Sequence, residues 1–171
     1  MKQINFSNDI LPMKDQLFRL ALRITLNREE AEDIVQETLI KIWNNRLAWS
    51  DIKSIEAYAM TICRNLSIDR QRQNSRQNEA DTNNIADTHA DNEPNPYEQL
   101  QQNDRINIIR NIMDALPEKQ KSCLQLRDIE AKSYKEIAEI MSITEEQVKI
   151  NIFRARQKLK EKLQTIDKYG L

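Results

Sequence analysis

Between Ser133 and Leu163 the chain reads SYKEIAEIMSITEEQVKINIFRARQKLKEKL, and within it Lys149, Asn151, Arg154, Arg156, Lys158 and Lys160 recur at helical spacing. The chemistry such residues do is recognition. Arg and Lys pair with phosphates, and Arg and Asn reach base edges when their helix enters the major groove. Ser133 with Glu136, and Thr144 with Gln147, have the spacing of two capping boxes, so two helices start there. Val148, Ile152, Ala155 and Leu159 give the second helix one apolar face to pack on its own domain. Two short helices, a tight turn and a cationic second helix are the outline of a helix-turn-helix.

Bond-making chemistry has little to work with. The one histidine, His89, has no Cys or His neighbour with metal-ligand spacing. No nucleophile stands with a base and no compact carboxylate cluster exists, which argues against an enzyme acting on nucleic acid. The one glycine, Gly170, leaves no Gly-rich loop for a nucleotide phosphate. Cys63 and Cys123 sit in amphipathic helical patterns and read as buried thiols. The expectation is a protein that is not an enzyme, with no cofactor and no metal.

These residues must be carried by helices. At 171 residues, 39% hydrophobic and 31% charged, the chain fits one medium domain or two small ones. No apolar run is long enough for a transmembrane helix or a secretory leader, so a cytoplasmic protein is expected. The net charge of -1 hides a strong segregation. Residues 1–76 hold 12 Lys and Arg against 10 Asp and Glu, residues 77–104 hold none against 7, and residues 105–171 hold 14 against 10. The acidic stretch, with Pro94 and Pro96 and few large apolar residues, cannot bury enough surface to offset its ordering entropy. The predicted fold is all-α: two small helical domains, 1–76 and 100–171, joined by a flexible acidic linker, 77–99.

In the first domain Leu17, Leu20, Ala21, Ile24 and Leu26 mark one helix. Asn27 caps a second, whose inner side carries Ala31, Val35, Thr38, Leu39 and Ile42, with Asp33, Gln36 and Glu37 on an outward stripe. A third helix has Ile55, Ala59, Ile62 and Leu66 as its seam, with Arg64, Asn65, Arg70, Arg72 and Arg76 pointing elsewhere.

The order of DIVQET, AYAMTICRNLSIDRQRQ, an acidic linker, LPEKQKSCLQLRDIEAKSYKEIAEIM and VKINIFRARQKL resembles an extracytoplasmic-function sigma factor across nearly the whole chain. The resemblance implies a region 2 domain followed by a region 4 domain. It assigns Asp33, Gln36 and Glu37 to binding core RNA polymerase, and Trp49, Arg64, Asn65 and Arg72 to the melted minus-ten strand. Lys149, Asn151, Phe153, Arg154, Arg156 and Lys158 fall to the minus-thirty-five duplex. Its partners are core polymerase, promoter DNA and an anti-sigma factor that is often membrane-anchored. The physical division is sound on its own terms. Single-strand capture needs a basic groove and a pocket for an unstacked base, duplex readout needs a polar helix in the major groove, and elements about two turns apart need a connector.

Several readings stay open at this level. The Asp33 stripe is also what any solvated helix face looks like. Trp43, near Leu39 and Ile42, reads as core, while Trp49 divides between core and DNA contact. Ile150 can meet a thymine methyl or pack on a neighbouring helix. Ser142 stands where relatives often place Gly, at a cost of a few tenths to about 1 kcal/mol if φ is positive there. A stand-alone helix-turn-helix regulator, dimeric and binding palindromic sites without polymerase, is the competing class.

Overall fold

The computed structural model describes residues 3–80 and 103–168, and among them every regular element is helical. Short turns Phe6–Ile10 and Leu11–Met13 lead into α1 (Lys14–Thr25), α2 (Arg28–Asn44), a 3-10 turn Arg46–Asp51 and α3 (Ile55–Ala80). The second half holds α4 (Asn103–Asp114), α5 (Glu118–Leu124), a π-turn Gln125–Ile129, α6 (Tyr134–Met141) and α7 (Glu145–Lys168). Residues 81–102, with His89 and most of the stretch assigned to the linker, lie outside the described residues. α3 continues to Ala80, into that stretch.

Local chemistry sets the first three helices. α1 buries Leu17, Leu20, Ala21 and Ile24. Leu26, expected on that seam, is instead the C-cap at φ 56°, and it is half exposed because the left-handed turn swings it out. Asn27 Oδ1 accepts from the Glu30 amide at 3.1 Å to start α2, with Glu29 and Glu30 placed favourably toward the positive end of the helix dipole. α2 buries Ala31, Ile34, Val35, Thr38 and Ile42, and the Thr38 hydroxyl donates back to the Ile34 carbonyl at 2.7 Å.

The seam of α3 is rotated from the one read off the sequence. Ala59, Met60, Cys63 and Ser67 lie deepest, while Ile62 and Leu66 are only half buried. Small residues let α1 approach closely: the Cys63 thiol donates to the Leu17 carbonyl at 3.3 Å, and Ser67 Oγ donates to the Cys63 carbonyl at 2.7 Å. Both cysteines are free and buried, and desolvation pushes each thiol up to about 12.

The two modules are packed on each other. α6 lies against α3, and α5 with the π-turn lies against α1. Ile137, Ile140 and Met141 of α6 belong to the same continuous apolar cluster as Met60 and Cys63 of α3. A smaller cluster of Met113, Leu116, Leu124 and Ala155 ties α4, α5 and α7 together.

Candidate nucleic-acid interface

The helix-turn-helix is built by the caps the sequence predicts. Ser133 and Glu136 form a reciprocal box, with Glu136 N–H donating to Ser133 Oγ at 3.1 Å and Ser133 N–H to Glu136 Oε2 at 2.8 Å. Thr144 and Gln147 repeat it at 3.0 and 3.1 Å. Between them Ser142 sits at φ 55°, ψ 45°, and the Ile143 amide reaches back to the Ala138 carbonyl at 3.1 Å. The turn therefore does require positive φ, and a serine meets it.

Val148, Ile152 and Ala155 are buried, so α7 turns its other faces outward. Lys149, Phe153, Arg154 and Lys158 are exposed, Phe153 by 68%. Asn151 is half buried and spends its amide N–H on the Gln147 carbonyl at 2.8 Å, leaving its oxygen as the group that can read a base. Arg156 makes a two-point pair with Asp128 of the π-turn, which raises its pKa through that hydrogen bond and occupies the guanidinium while the side chain stays half exposed. Lys149 lies over the Tyr134 ring at 5.5 Å, where Arg127 stacks at 4.3 Å. Ile150 is half exposed, which leaves it open to a ligand rather than spent on packing.

On α2, Asp33, Gln36 and Glu37 form the expected outward face, Asp33 with a side chain 71% exposed. Arg70 of α3 reaches Asp33 at 4.0 Å and Glu37 at 3.7 Å. The face does not stop at Glu37. Ile40 and Trp43 continue it, both exposed, and with Phe6 and Leu39 they line an apolar groove of about 330 Å³. Reading Trp43 as core is corrected here: it lies three residues from Ile40 and seven from Gln36, which is the outward face at 3.6 residues per turn. That spacing was available in the sequence.

Trp43 also meets Phe6 and Trp49 edge to face, with centroids 5.3 and 6.2 Å apart. These aromatics border a larger groove of about 1160 Å³ between the N-terminal turn and the loop Arg46–Asp51, lined also by Arg46 and Lys53. Trp49 spends its indole N–H on the Ile42 carbonyl at 3.0 Å, so only its ring is offered to the groove. Arg46 stacks over Trp43 at 4.9 Å. An aromatic-floored groove with two cations at its edge suits an unstacked base and its phosphates.

The other three residues assigned to the minus-ten strand do not line that groove. Asn65 and Arg72 are exposed on α3. Arg64, expected to point outward, is buried: its guanidinium makes a two-point pair with Glu118 of α5 at 3.1 and 3.0 Å.

The comparisons with known proteins follow the same order along the chain. Residues 10–77 match the family model for Sigma-70 region 2, and residues 106–159 match Sigma-70, region 4. The ECF RNA polymerase sigma factor SigE of Mycolicibacterium smegmatis is 30% identical over 150 residues, covering 87% of this chain and 58% of that protein. SigM of Bacillus subtilis, also an ECF RNA polymerase sigma factor, is 26% identical over 146 residues, covering 85% of this chain and 87% of its own. The fold is shared with the sigma factor RpoE of Bartonella quintana, solved with the anti-sigma factor NepR, at a TM-score of 0.77, 24% identity and coverage of 93% of this chain and 96% of that one. It is shared also with CnrH, solved with the cytosolic domain of CnrY, at 0.67 and 19%, covering 94% of this chain and 88% of that one. Two sigma-70 regions in order on one chain, with relatives that match along most of it and a common fold, place this protein in the sigma-70 family, among the extracytoplasmic-function sigma factors.

Proposed function

We propose that the chain binds core RNA polymerase and directs promoter-specific initiation, capturing the minus-ten element as single strand and the minus-thirty-five element through α7. The observation that carries this reading is the pairing, on one chain, of a matched region 2 module bearing an outward acidic and apolar face with a matched region 4 module bearing an exposed cationic reader helix. A stand-alone regulator would have no use for the region 2 module.

Asp33, Gln36 and Glu37 are the polymerase contacts in this reading, and Ile40 and Trp43 extend them. Trp49 supplies a stacking surface for a flipped base, with Asn65 and Arg72 along the strand. Lys149, Asn151, Phe153 and Arg154 meet the upstream duplex, Lys158 its backbone, and Arg156 joins them on release from Asp128. An anti-sigma factor is the expected inhibitor, and the solved Bartonella quintana sigma factor named above is in complex with one.

Run-off transcription with reconstituted core enzyme tests the whole reading. Promoter-dependent transcripts are expected, and Asp33→Lys with Glu37→Lys should abolish core capture while leaving helicity intact. Full core affinity in that double variant overturns the assignment of the α2 face; specific binding to a palindromic duplex without polymerase overturns the function.

A further inference from the structure

The outward face of α7 carries an apolar side chain at its centre. Val148, Ile152 and Ala155 define the buried seam of the helix. At about 100° per residue, Ile150 falls within about 15° of the direction opposite that seam, with Phe153 about 45° to one side and Arg154 about 55° to the other. Lys149 and Lys158, both exposed, lie about 90° out on the two flanks. Ile150 is 47% exposed and Phe153 68%. Neither belongs to an apolar cluster of the fold. A β-branched residue is also no better than an average helix former. Packing and helix propensity therefore give no reason for isoleucine at the middle of this face.

We propose that Ile150 reads the C5-methyl group of one thymine in the upstream element and makes that position thymine-specific. The proposal rests on the sigma-factor reading and adds to it a residue that decides which base one position takes. In the major groove thymine shows a methyl group, whereas guanine, adenine and cytosine show hydrogen-bond donors and acceptors. Isoleucine offers no hydrogen bond, so seating one of those bases against it strips water from a polar edge and returns nothing. The thymine methyl instead leaves water against the isoleucine and, beside it, the Phe153 ring. The rest of the face sorts by position: Lys149 and Lys158 are placed for the phosphates on either side of the groove, and Arg154 for a guanine edge. Side chains four apart on a helix stand about 5 to 6 Å from each other, and successive base pairs about 3.4 Å. The thymine should therefore lie about one or two base pairs from the base on which Arg154 acts.

Holoenzyme reconstituted with the full chain supplies the test, first by selecting its upstream element from a duplex library randomised over that region. Thymine should dominate one position, on either strand, at that distance from the position whose preference Arg154→Ala removes. Replacing this thymine by uracil removes the methyl alone and should weaken holoenzyme binding about fourfold, the effect of burying one such group. A cytosine pair there should bind worse still, and 5-methylcytosine should recover the same factor. Ile150→Ser should bind the thymine and uracil duplexes alike, while Ile150→Val should keep most of the difference.

Because Ile150 is exposed, both variants should fold as the wild type does, which circular dichroism checks, and their affinity for core enzyme without DNA should not change. A thymine–uracil difference that survives intact in Ile150→Ser overturns the assignment to Ile150. A selected element with no thymine position, or no effect of uracil in the wild type, overturns methyl reading altogether. Loss of core affinity in Ile150→Ser with base discrimination intact overturns it too, and gives the apolar face to polymerase. Failure of the holoenzyme to form overturns the sigma-factor reading itself, a result distinct from selection without a thymine.

Discussion

The two surfaces assigned to promoter DNA are held in opposite ways. The reader face of α7 stands clear of the rest of the molecule, with Lys149, Arg154 and Lys158 exposed, whereas Arg64 of α3 is folded under α5 and clamped by Glu118. The cause is the range of the contacts. α7 is oriented by a cap at its own start and by three buried residues on its own length. The side of α3 that carries Arg64 is decided by an acid 54 residues away. A surface fixed inside its own module is ready as soon as that module folds. One fixed by a distant element is set only when the two modules pack.

The largest expected effect breaks that contrast at Arg64. Arg64→Met leaves Glu118 in a seam without its partner, and truncating one member of a mostly buried pair should cost about 2 to 3 kcal/mol after allowance for the partial exposure of Glu118. Arg72→Met, on an exposed turn of the same helix, should change stability by less than about 0.5 kcal/mol. Urea unfolding of the two variants measures the difference. Equal effects would mean that the two arginines are held alike in solution, and the contrast would fail.

The second prediction sharpens the reader face. Arg154→Ala should cost about 1 to 3 kcal/mol on the preferred upstream element and much less on a scrambled one. Lys160→Ala, near the end of the helix, should weaken both alike and lower the salt dependence by about one counterion equivalent. Arg156→Ala carries an added consequence because Asp128 loses its partner, so part of its effect should appear in stability as well as in DNA binding. A promoter series with holoenzyme, read at several salt concentrations, separates the three. An Arg154 variant that keeps full preference would shift base reading to Ile150 and Phe153.

How much of this was legible in the sequence follows the same division between local and distant contacts. Asn27, both capping boxes and the buried row of α7 depend on residues within a turn or two, and reading them needs only spacing. The matched regions were legible as an ordered string of motifs. Leu26 and Trp43 were misread although their positions were local, because adjacency to apolar neighbours was weighed above helical angle. Arg64 with Glu118, Arg23 with Asp114 and Arg19 with Glu130 could not be read, since their partners are 54, 91 and 111 residues apart and no periodicity links them. The same holds for Lys121, which looks in sequence like any lysine on an amphipathic helix.

Lys121 supplies the third prediction. Burial lowers its pKa, with Asp114 and Glu118 opposing that shift and Arg23 adding to it. Removing its charge leaves two arginines, Arg23 and Arg64, facing two acids, Asp114 and Glu118, so Lys121→Met should stabilise the folded chain by about 1 kcal/mol. The pH sign is definite. A lysine whose folded pKa is depressed penalises the fold while it is charged, and that penalty disappears as pH rises from the folded value toward the unfolded one near 10.4. The advantage of Lys121→Met should therefore be full at neutral pH and shrink in the alkaline range. Thermal unfolding at several pH values checks it, and an advantage independent of pH would assign the gain to packing alone.

The smallest effect compares strain in the two halves. Leu26 closes α1 at φ 56° and Ser142 closes α6 at φ 55°, so each β-carbon pays the left-handed penalty at a helix end. Glycine removes that penalty but also loosens the unfolded chain, leaving a net gain of about 0.5 kcal/mol at Ser142, whose hydroxyl makes no hydrogen bond among the described residues. Leu26→Gly should gain less, because the half-exposed leucine still covers apolar surface that glycine cannot. At this chain length the Ser142→Gly gain corresponds to a rise of about 1 to 2 °C in melting temperature. The variant should leave the Arg154-dependent promoter preference untouched, since the turn backbone already has the geometry glycine favours. A gain in stability accompanied by altered preference would show that serine at this turn sets the angle at which α7 meets the duplex, and the strain would then belong to recognition.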